Sequence, residues 1–581
     1  MKGDPMNHSI HHAIPRPEHP TPQFERSTWM NLNGEWQFAL DHSVSGKARK
    51  LYEAESLPDT ITVPFCMECK LSGVGYTDFC DCVWYRKEID LPADWLENGK
   101  RTVLHIGACD YLTDVWVNGT HVGSHKGGYV SFSFDITDFL VSGKNVITVS
   151  AEDYVRSERQ PAGKQSLKYE SWGCFYTRTT GIWQTVWLEN TPSTHIKRAE
   201  FITNVADASL TIKATLCGSA TLTAEAFLDG RSVGKASLKG CDGINALTIP
   251  LSELRLWEIG KGGLYDLSLT YGEDSVKSYF GMRTLSLDDQ ALVINGKKVF
   301  QRLVLDQGYY PDGLYTAPTE QDLIDDITRS MACGFNGARL HQKVFEPRFL
   351  YHCDRLGYLA WDELGNWGLR AEDPNSWYYF IPEWVEIVQR DINHPSIIGW
   401  CPFNETCARH GGINDPLIGY TAELTRTLDP TRPVIESSGW WHVMGAGDIL
   451  DWHDYDQNPD SFRQRYEDVA NGIPIVNKRY APCPLLPRFI SEYGGIKWDV
   501  SSGLGNAWGY GDAPKTEEEF ISRFKGLTEA LLFNPFITGL CYTQLTDVEQ
   551  ECNGLYTYDR QPKFDPALFR DVLTQKAAIE E

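Results

Sequence analysis

Basic residues are scarce in this chain. Its 581 residues carry 54 Lys and Arg against 78 Asp and Glu, a formal charge of −24. Nucleic acid and anionic membrane surfaces are therefore excluded as expected partners, because both call for a basic face. There is no run of about 18 apolar residues, so no helical membrane span is expected. The opening MKGDPMNHSIHHAIPRPEHP is polar and proline-rich, with no apolar core of secretory length. The expected address is the cytoplasm, or the exterior if a leader has been removed. Disorder is not expected either, since 12% of the residues are aromatic. The 15 cysteines are odd in number and scattered, unlike a disulfide framework. One cluster, Cys66, Cys69, Cys80 and Cys82, has spacing that admits either zinc or a reduced, partly buried set.

Several chemistries lack their signatures. No glycine-rich phosphate loop or dinucleotide fingerprint sits at a strand–helix junction, and no GxSxG elbow occurs. No cofactor is expected, and the few His pairs do not suggest a resident metal.

What is present divides into two halves. From about 27 to 285 the pattern is short alternating strands broken by turn residues, such as RTVLHIGA (101–108) and NVITVSAED (145–153). Asn118-Gly119, between two such runs, predicts a hairpin turn, because both residues tolerate positive φ. A break near NTPST (191–195) separates a first β-sandwich, 27–192, from a second, 193–285. The second has about seven strands and predicts an immunoglobulin-like sandwich. Residues 1–26 read as an N-terminal extension.

From 286 to 581 strand-like runs alternate with amphipathic segments. The strands are read at 297–307, 335–341, 358–364, 397–405, 432–438, 449–455, 488–494 and 537–545. Helices are read at 320–333, 347–356, 384–392, 419–428, 517–532 and 566–578. Eight strands alternating with helices predict a closed parallel (β/α)8 TIM barrel. Such barrels carry their chemistry at the C-terminal strand ends. The polar and aromatic residues there include Asp306, Arg339, His341, Trp361, Asp362, Glu363, Asn404, Glu405, His453, Tyr455, Glu492 and Gln544.

One glutamate at a strand end reads as a loop ion pair. Glu405 and Glu492, however, end the fourth and seventh strands, across the barrel from each other. Two carboxyls facing across the mouth can bracket one glycosidic bond. Glu492 must stay ionised to attack, with Arg339 and Tyr455 as candidate partners. Glu405 must hold a proton at neutral pH, with the Glu492 charge and the Trp400 ring as expected causes. Trp361, Trp367, Trp440, Trp441, Trp452 and Trp498 also lie near strand ends, and one or two are expected to touch a sugar.

At these residues the sequence resembles glycoside hydrolase family 2, which holds β-galactosidases, β-glucuronidases and β-mannosidases. The resemblance runs through MNLNGEWQFALD (30–41), DVWVNGTHVGSHKGGYVSFSFDITDFL (114–140), GIWQTVWLE (181–189), GFNGARLHQ (334–342), DRLGYLAWDE (354–363), NHPSIIGWCPFNE (393–405) and FISEYGG (489–495). It implies a jelly-roll sugar-binding-like domain, an immunoglobulin-like domain and a catalytic barrel. It also implies Glu405 as acid/base, Glu492 as nucleophile and retention of configuration. Asn404 would bond the sugar 2-hydroxyl, and Tyr455 would orient the nucleophile. Homo-oligomers are common in the family.

The sugar is less defined. GLYTYDRQPK (554–563) resembles β-glucuronidases, but their Asn-x-Lys, which holds the uronate carboxylate, aligns with Glu551-Cys552-Asn553. An anionic Glu551 would repel that carboxylate. The expected substrate is thus a terminal β-D-galactoside, by breadth of the family. The alternatives are an α-L-arabinofuranoside, a β-D-galactofuranoside or a β-glucuronide, and, at a distance, non-catalytic carbohydrate binding.

Overall fold

The computed structural model describes residues 14–97, 99–288, 291–406, 416–439, 442–443, 445–470, 486–499 and 507–580. Trp440 and Trp441 lie outside the described residues.

The first sandwich packs a six-stranded antiparallel sheet on a four-stranded one. Trp36, Phe38, Tyr85, Leu104, Ile106, Val149 and Leu188 fill the space between them. Alternation sends these side chains inward and leaves the intervening polar residues at the surface. The hairpin Leu112–Val117 and Thr120–Lys126 turns at Asn118 (φ 50°) and Gly119 (φ 78°). Both residues take the left-handed conformation that a two-residue turn requires. The second sandwich pairs sheets of three and four strands, from His195 to Gly281, around Leu210, Ile212, Leu222, Leu267 and Phe280.

The barrel strands are β1 (Gln301–Asp306), β2 (Gly337–Leu340), β3 (Leu359–Glu363), β4 (Ile397–Cys401), β5 (Leu450–Asp454), β6 (Arg488–Gly494) and β7 (Gly539–Thr543). They form one parallel sheet in the order β4-β3-β2-β1-β7-β6-β5. Expected strand 432–438 makes no ladder. It touches β4 and the segment after it through single bridges, Trp400 to Val434 and Asn404 to Ser438. The Asp448 carboxylate accepts the Val434 N–H at 2.8 Å, so that amide is satisfied without a strand partner.

Most helices lie close to the segments expected. The third is longer, Pro374–Asp391, because the chain runs helically through Pro382 where the sequence reading stopped. The helix Pro459–Ala470 was not expected; its mean hydropathy is low and its apolar stripe thin. Among the described residues no helix is long and apolar enough to cross a membrane.

Two β-bulges re-aim side chains at the barrel mouth. One interrupts the β5–β6 pairing between Trp452 and His453, the other the β6–β7 pairing between Ile490 and Tyr493. A bulge puts an extra residue on one strand and breaks strict alternation. Ser491 therefore reaches the buried Asp451 while Glu492 still reaches the pocket.

Candidate active site

Arg339 on β2 organises the floor of the pocket. Its guanidinium donates to Glu363 Oε2 at 2.7 Å, to Glu492 Oε1 at 2.9 Å and to Asn404 Oδ1 at 2.7 Å. One planar cation thus fixes three acceptors from three strand ends, a task suited to the rigid guanidinium fork. With its oxygen bound to Arg339, the Asn404 amide is oriented with Nδ2 free of any protein partner among the described residues.

His453 on β5 lies between the two glutamates. Its Nδ1 is 2.6 Å from Glu405 Oε1 and its Nε2 is 3.3 Å from Glu492 Oε1. Ligand atoms of Glu405, His453 and Glu492 all lie within 4.8 Å of one another. Among the described residues this is the one group spaced to hold a metal ion. Tyr455 donates its hydroxyl to Glu492 Oε2, lies 3.1 Å from Thr543 Oγ1 and stacks on Tyr510. Glu405 sits in the left-handed region at φ 45°, unusual for a side chain of this size, directly after Asn404.

Charge follows from this packing. Burial opposes ionisation of Glu492, but His453, His341 and Arg339 outweigh it and hold the carboxyl below its ordinary range. Burial also opposes protonation of His453, yet Glu492 and Glu405 raise its pKa. For His341 burial wins and lowers the pKa, with Glu363 opposing. Glu363 is fully buried; Arg339 and His341 overcome that burial and pull it down to about 2.

A depressed carboxyl stabilises the fold fully above its unfolded pKa and loses that contribution as pH falls through the folded value. Glu363→Gln is therefore expected to lower Tm markedly at pH 7, where loss of one buried ionic partner costs about 3–5 kcal/mol. The gap to the parent should narrow as pH falls from about 4.5 to 2. Paired thermal melts across that range check it.

The structure brings Arg339, His341, Asn404, Glu405, His453, Tyr455 and Glu492 together, and it moves other sequence candidates elsewhere. Asp306 points outward, where burial raises its pKa to about 6 beside Asp326, Arg560 and Lys343. Asp362 also faces outward, toward Asp391 and Arg390; its neighbour Glu363 is the one turned into the barrel. Trp361 faces inward but one layer too deep, bonded to Gln301 Oε1 at 2.7 Å and stacked on Phe489. Trp400 does not face Glu405. It packs edge-on to Trp384 and donates to Asp429 at 2.8 Å. Trp452 bonds Tyr466, and Trp498 packs on Phe520 and Phe564.

Gln544 is committed to Asn553 at 2.8 Å. Asn553 in turn donates to Glu551 Oε1 at 3.0 Å, and the Tyr176 hydroxyl donates to Oε2. Glu551 is thus capped on both oxygens, and burial raises its pKa. It is not the bare repelling charge the sequence suggested. The four clustered cysteines are buried in three different packed groups and do not converge as a ligand set. Burial keeps the Cys66, Cys80 and Cys82 thiols above their ordinary pKa.

Asp362 and Glu363 both end the third strand in the sequence, and strand parity decides that Glu363 faces in. One pocket ion was not among the sequence candidates. Lys164 comes from the first sandwich, where no barrel pattern points to it.

Two segments of the chain match known family models. Residues 29–192 match "Glycosyl hydrolases family 2, sugar binding domain", and residues 285–524 match "Glycosyl hydrolases family 2, TIM barrel domain". The chain belongs to glycoside hydrolase family 2. A relative from Formosa agariphila is 29% identical over 505 residues, covering 81% of this chain. This chain spans 57% of that relative's length. The beta-glucuronidase of Canis lupus familiaris is 27% identical over 465 residues, 72% of this chain and 70% of its own. The solved beta-glucuronidase of Lactobacillus rhamnosus shares the fold at TM-score 0.80 and 19% identity, covering 97% of this chain and 100% of its own.

Proposed function

We propose that this chain is a retaining exo-glycosidase acting on a terminal β-glycoside. One observation carries the reading: carboxylate oxygens of Glu405 and Glu492 lie within 4.8 Å of each other. Retaining enzymes hold their carboxyls about 5–5.5 Å apart, whereas inverting ones leave about 6.5–9.5 Å for a water. Glu492, ionised and gripped by Arg339 and Tyr455, is the nucleophile. Glu405, a quarter exposed at the mouth, is the acid/base.

In the first step Glu492 attacks the anomeric carbon and forms an ester. The glycosidic C–O bond breaks, and the departing oxygen takes the Glu405 proton. In the second step Glu405 takes a proton from water, whose oxygen attacks the same carbon and frees Glu492. Two inversions give retention. Esterification removes the Glu492 charge, one of the two that favour the protonated form of His453. With that like charge gone Glu405 ionises more readily, which suits its change from acid to base. Asn404 Nδ2 is the donor for the sugar 2-hydroxyl.

A β-D-galactoside rests on family breadth, and no contact in the pocket singles it out. A β-glucuronide is favoured by the canine relative's printed name and by the Lys164 ammonium at the pocket. The test is a panel of nitrophenyl glycosides: β-galactoside, β-glucuronide, β-mannoside, β-glucoside, α-L-arabinofuranoside and β-galactofuranoside. At least one should be turned over, and NMR should give the sugar first in its starting anomeric configuration. Release of the opposite anomer would remove the double displacement.

A further inference from the structure

The first sandwich sends a loop onto the barrel between Tyr154 and Thr180. Its backbone docks on the segment after β3: Ala162 N–H donates to Trp367 O at 2.7 Å and Gly163 N–H to Gly365 O at 2.9 Å. The approach depends on Gly163, which has φ 56° and where a Cβ would lie 2.3 Å from Gln342 O. The next residue, Lys164, is thereby delivered to the pocket.

Lys164 is only 6% exposed. Its Nζ lies 4.2 Å from the centre of the Trp367 ring, and that indole donates to Asn404 O at 3.1 Å. The ammonium therefore sits one side chain away from the Asn404-Glu405 pair. Glu551, Glu492 and Glu405 are near enough to act on its charge. Burial opposes that charge, but Cys174 and these three carboxylates raise the pKa, so the ammonium persists. Yet among the described residues the Lys164 ammonium makes no hydrogen bond and has no carboxylate within 4.0 Å; the Trp367 face is the contact it does make.

Buried charges are ordinarily paired, because an ion removed from water recovers its solvation only from a close counter-ion. The nearby carboxylates are committed elsewhere. Glu551 is capped by Tyr176 and Asn553, Glu492 by Arg339 and Tyr455, and Glu405 by His453. What is missing beside Lys164 is an acceptor that enters with the ligand. Its strongest form is an anionic oxygen pair.

We propose that Lys164 is a specificity residue lent by the sandwich to the barrel, and that it binds the carboxylate of a terminal uronide. This rests on the retaining-glycosidase reading above. It also accounts for the missing Asn-x-Lys: the cation reaches the pocket from another domain, and Glu551-Cys552-Asn553 is turned to internal bonds.

The experiment uses the full chain with 4-nitrophenyl β-D-glucuronide, β-D-galactoside and β-D-glucoside. The parent should prefer the glucuronide. In Lys164→Met the ratio of kcat/KM for glucuronide over the neutral sugars should fall by about 10²–10³, the scale for removing one partner of a buried ion pair. Lys164→Arg should retain more of that ratio than Lys164→Met. Added D-glucuronate should raise the parent's Tm more than D-glucose does, a readout independent of any variant's folding. A parallel loss on all three substrates, an unchanged ratio, or no Tm preference for glucuronate would overturn the assignment. Turnover of neutral glycosides alone would end the carboxylate claim and leave the glycosidase standing. Full activity in Glu492→Gln would instead take away the reading beneath it.

Discussion

Glu492→Ala is expected to lower kcat on every substrate by at least about 10⁴-fold, the scale of losing a covalent nucleophile. The variant removes more than a charge. Arg339 loses one of its three side-chain acceptors and the Tyr455 hydroxyl loses its carboxylate. It leaves a cationic recess in place of the nucleophile. Azide should enter there and attack the anomeric carbon from the face opposite the aglycone. The product should be the glycosyl azide of inverted configuration, formed with an activated aryl glycoside. NMR of that azide assigns the role directly, because a retained azide would mean that the two glutamates have been exchanged.

The second large effect is Glu405→Ala. With an alkyl or unactivated aryl leaving group, kcat/KM should fall by about 10²–10⁴, the usual contribution of a positioned proton donor. With dinitrophenyl glycosides the first step needs no acid, so the loss should shift to the second step and the glycosyl–Glu492 ester should accumulate. A burst of dinitrophenol, equal to the enzyme present, reports it. Azide should now attack that ester from the opened side and give the retained glycosyl azide. The alkaline limb of the kcat/KM profile should vanish with the side chain that sets it. A bell-shaped profile that survived in the variant would place the titrating acid elsewhere.

Much of the barrel was legible because its strands are short apolar runs that end in polar residues, a pattern that physical burial imposes. Glu405 and Glu492 could be read because, counted over the eight expected strands, chain order puts the fourth and seventh strand ends across the mouth. Depth and parity were not legible. Trp361 and Glu363 share one face of β3, but the tryptophan lies a layer below the carboxylates, and nothing in WDE says so. Asp362 and Glu363 both end the strand, and which of them faces in depends on register. A bulge between Ala360 and Trp361 further disturbs that register. Segment 432–438 has strand composition, but the Asp448 side chain takes the Val434 amide that a ladder would have used. Lys164 was invisible for a different reason: its place is fixed by backbone docking of Gly163 onto Gly365, a contact that local pattern does not encode.

That docking separates two kinds of inheritance within one pocket. Bond-breaking groups reside on the barrel segment, while a group judging which sugar stays is stitched in from upstream. Exchanging residues 154–180 between homologues should therefore retune preference without disturbing the reacting pair.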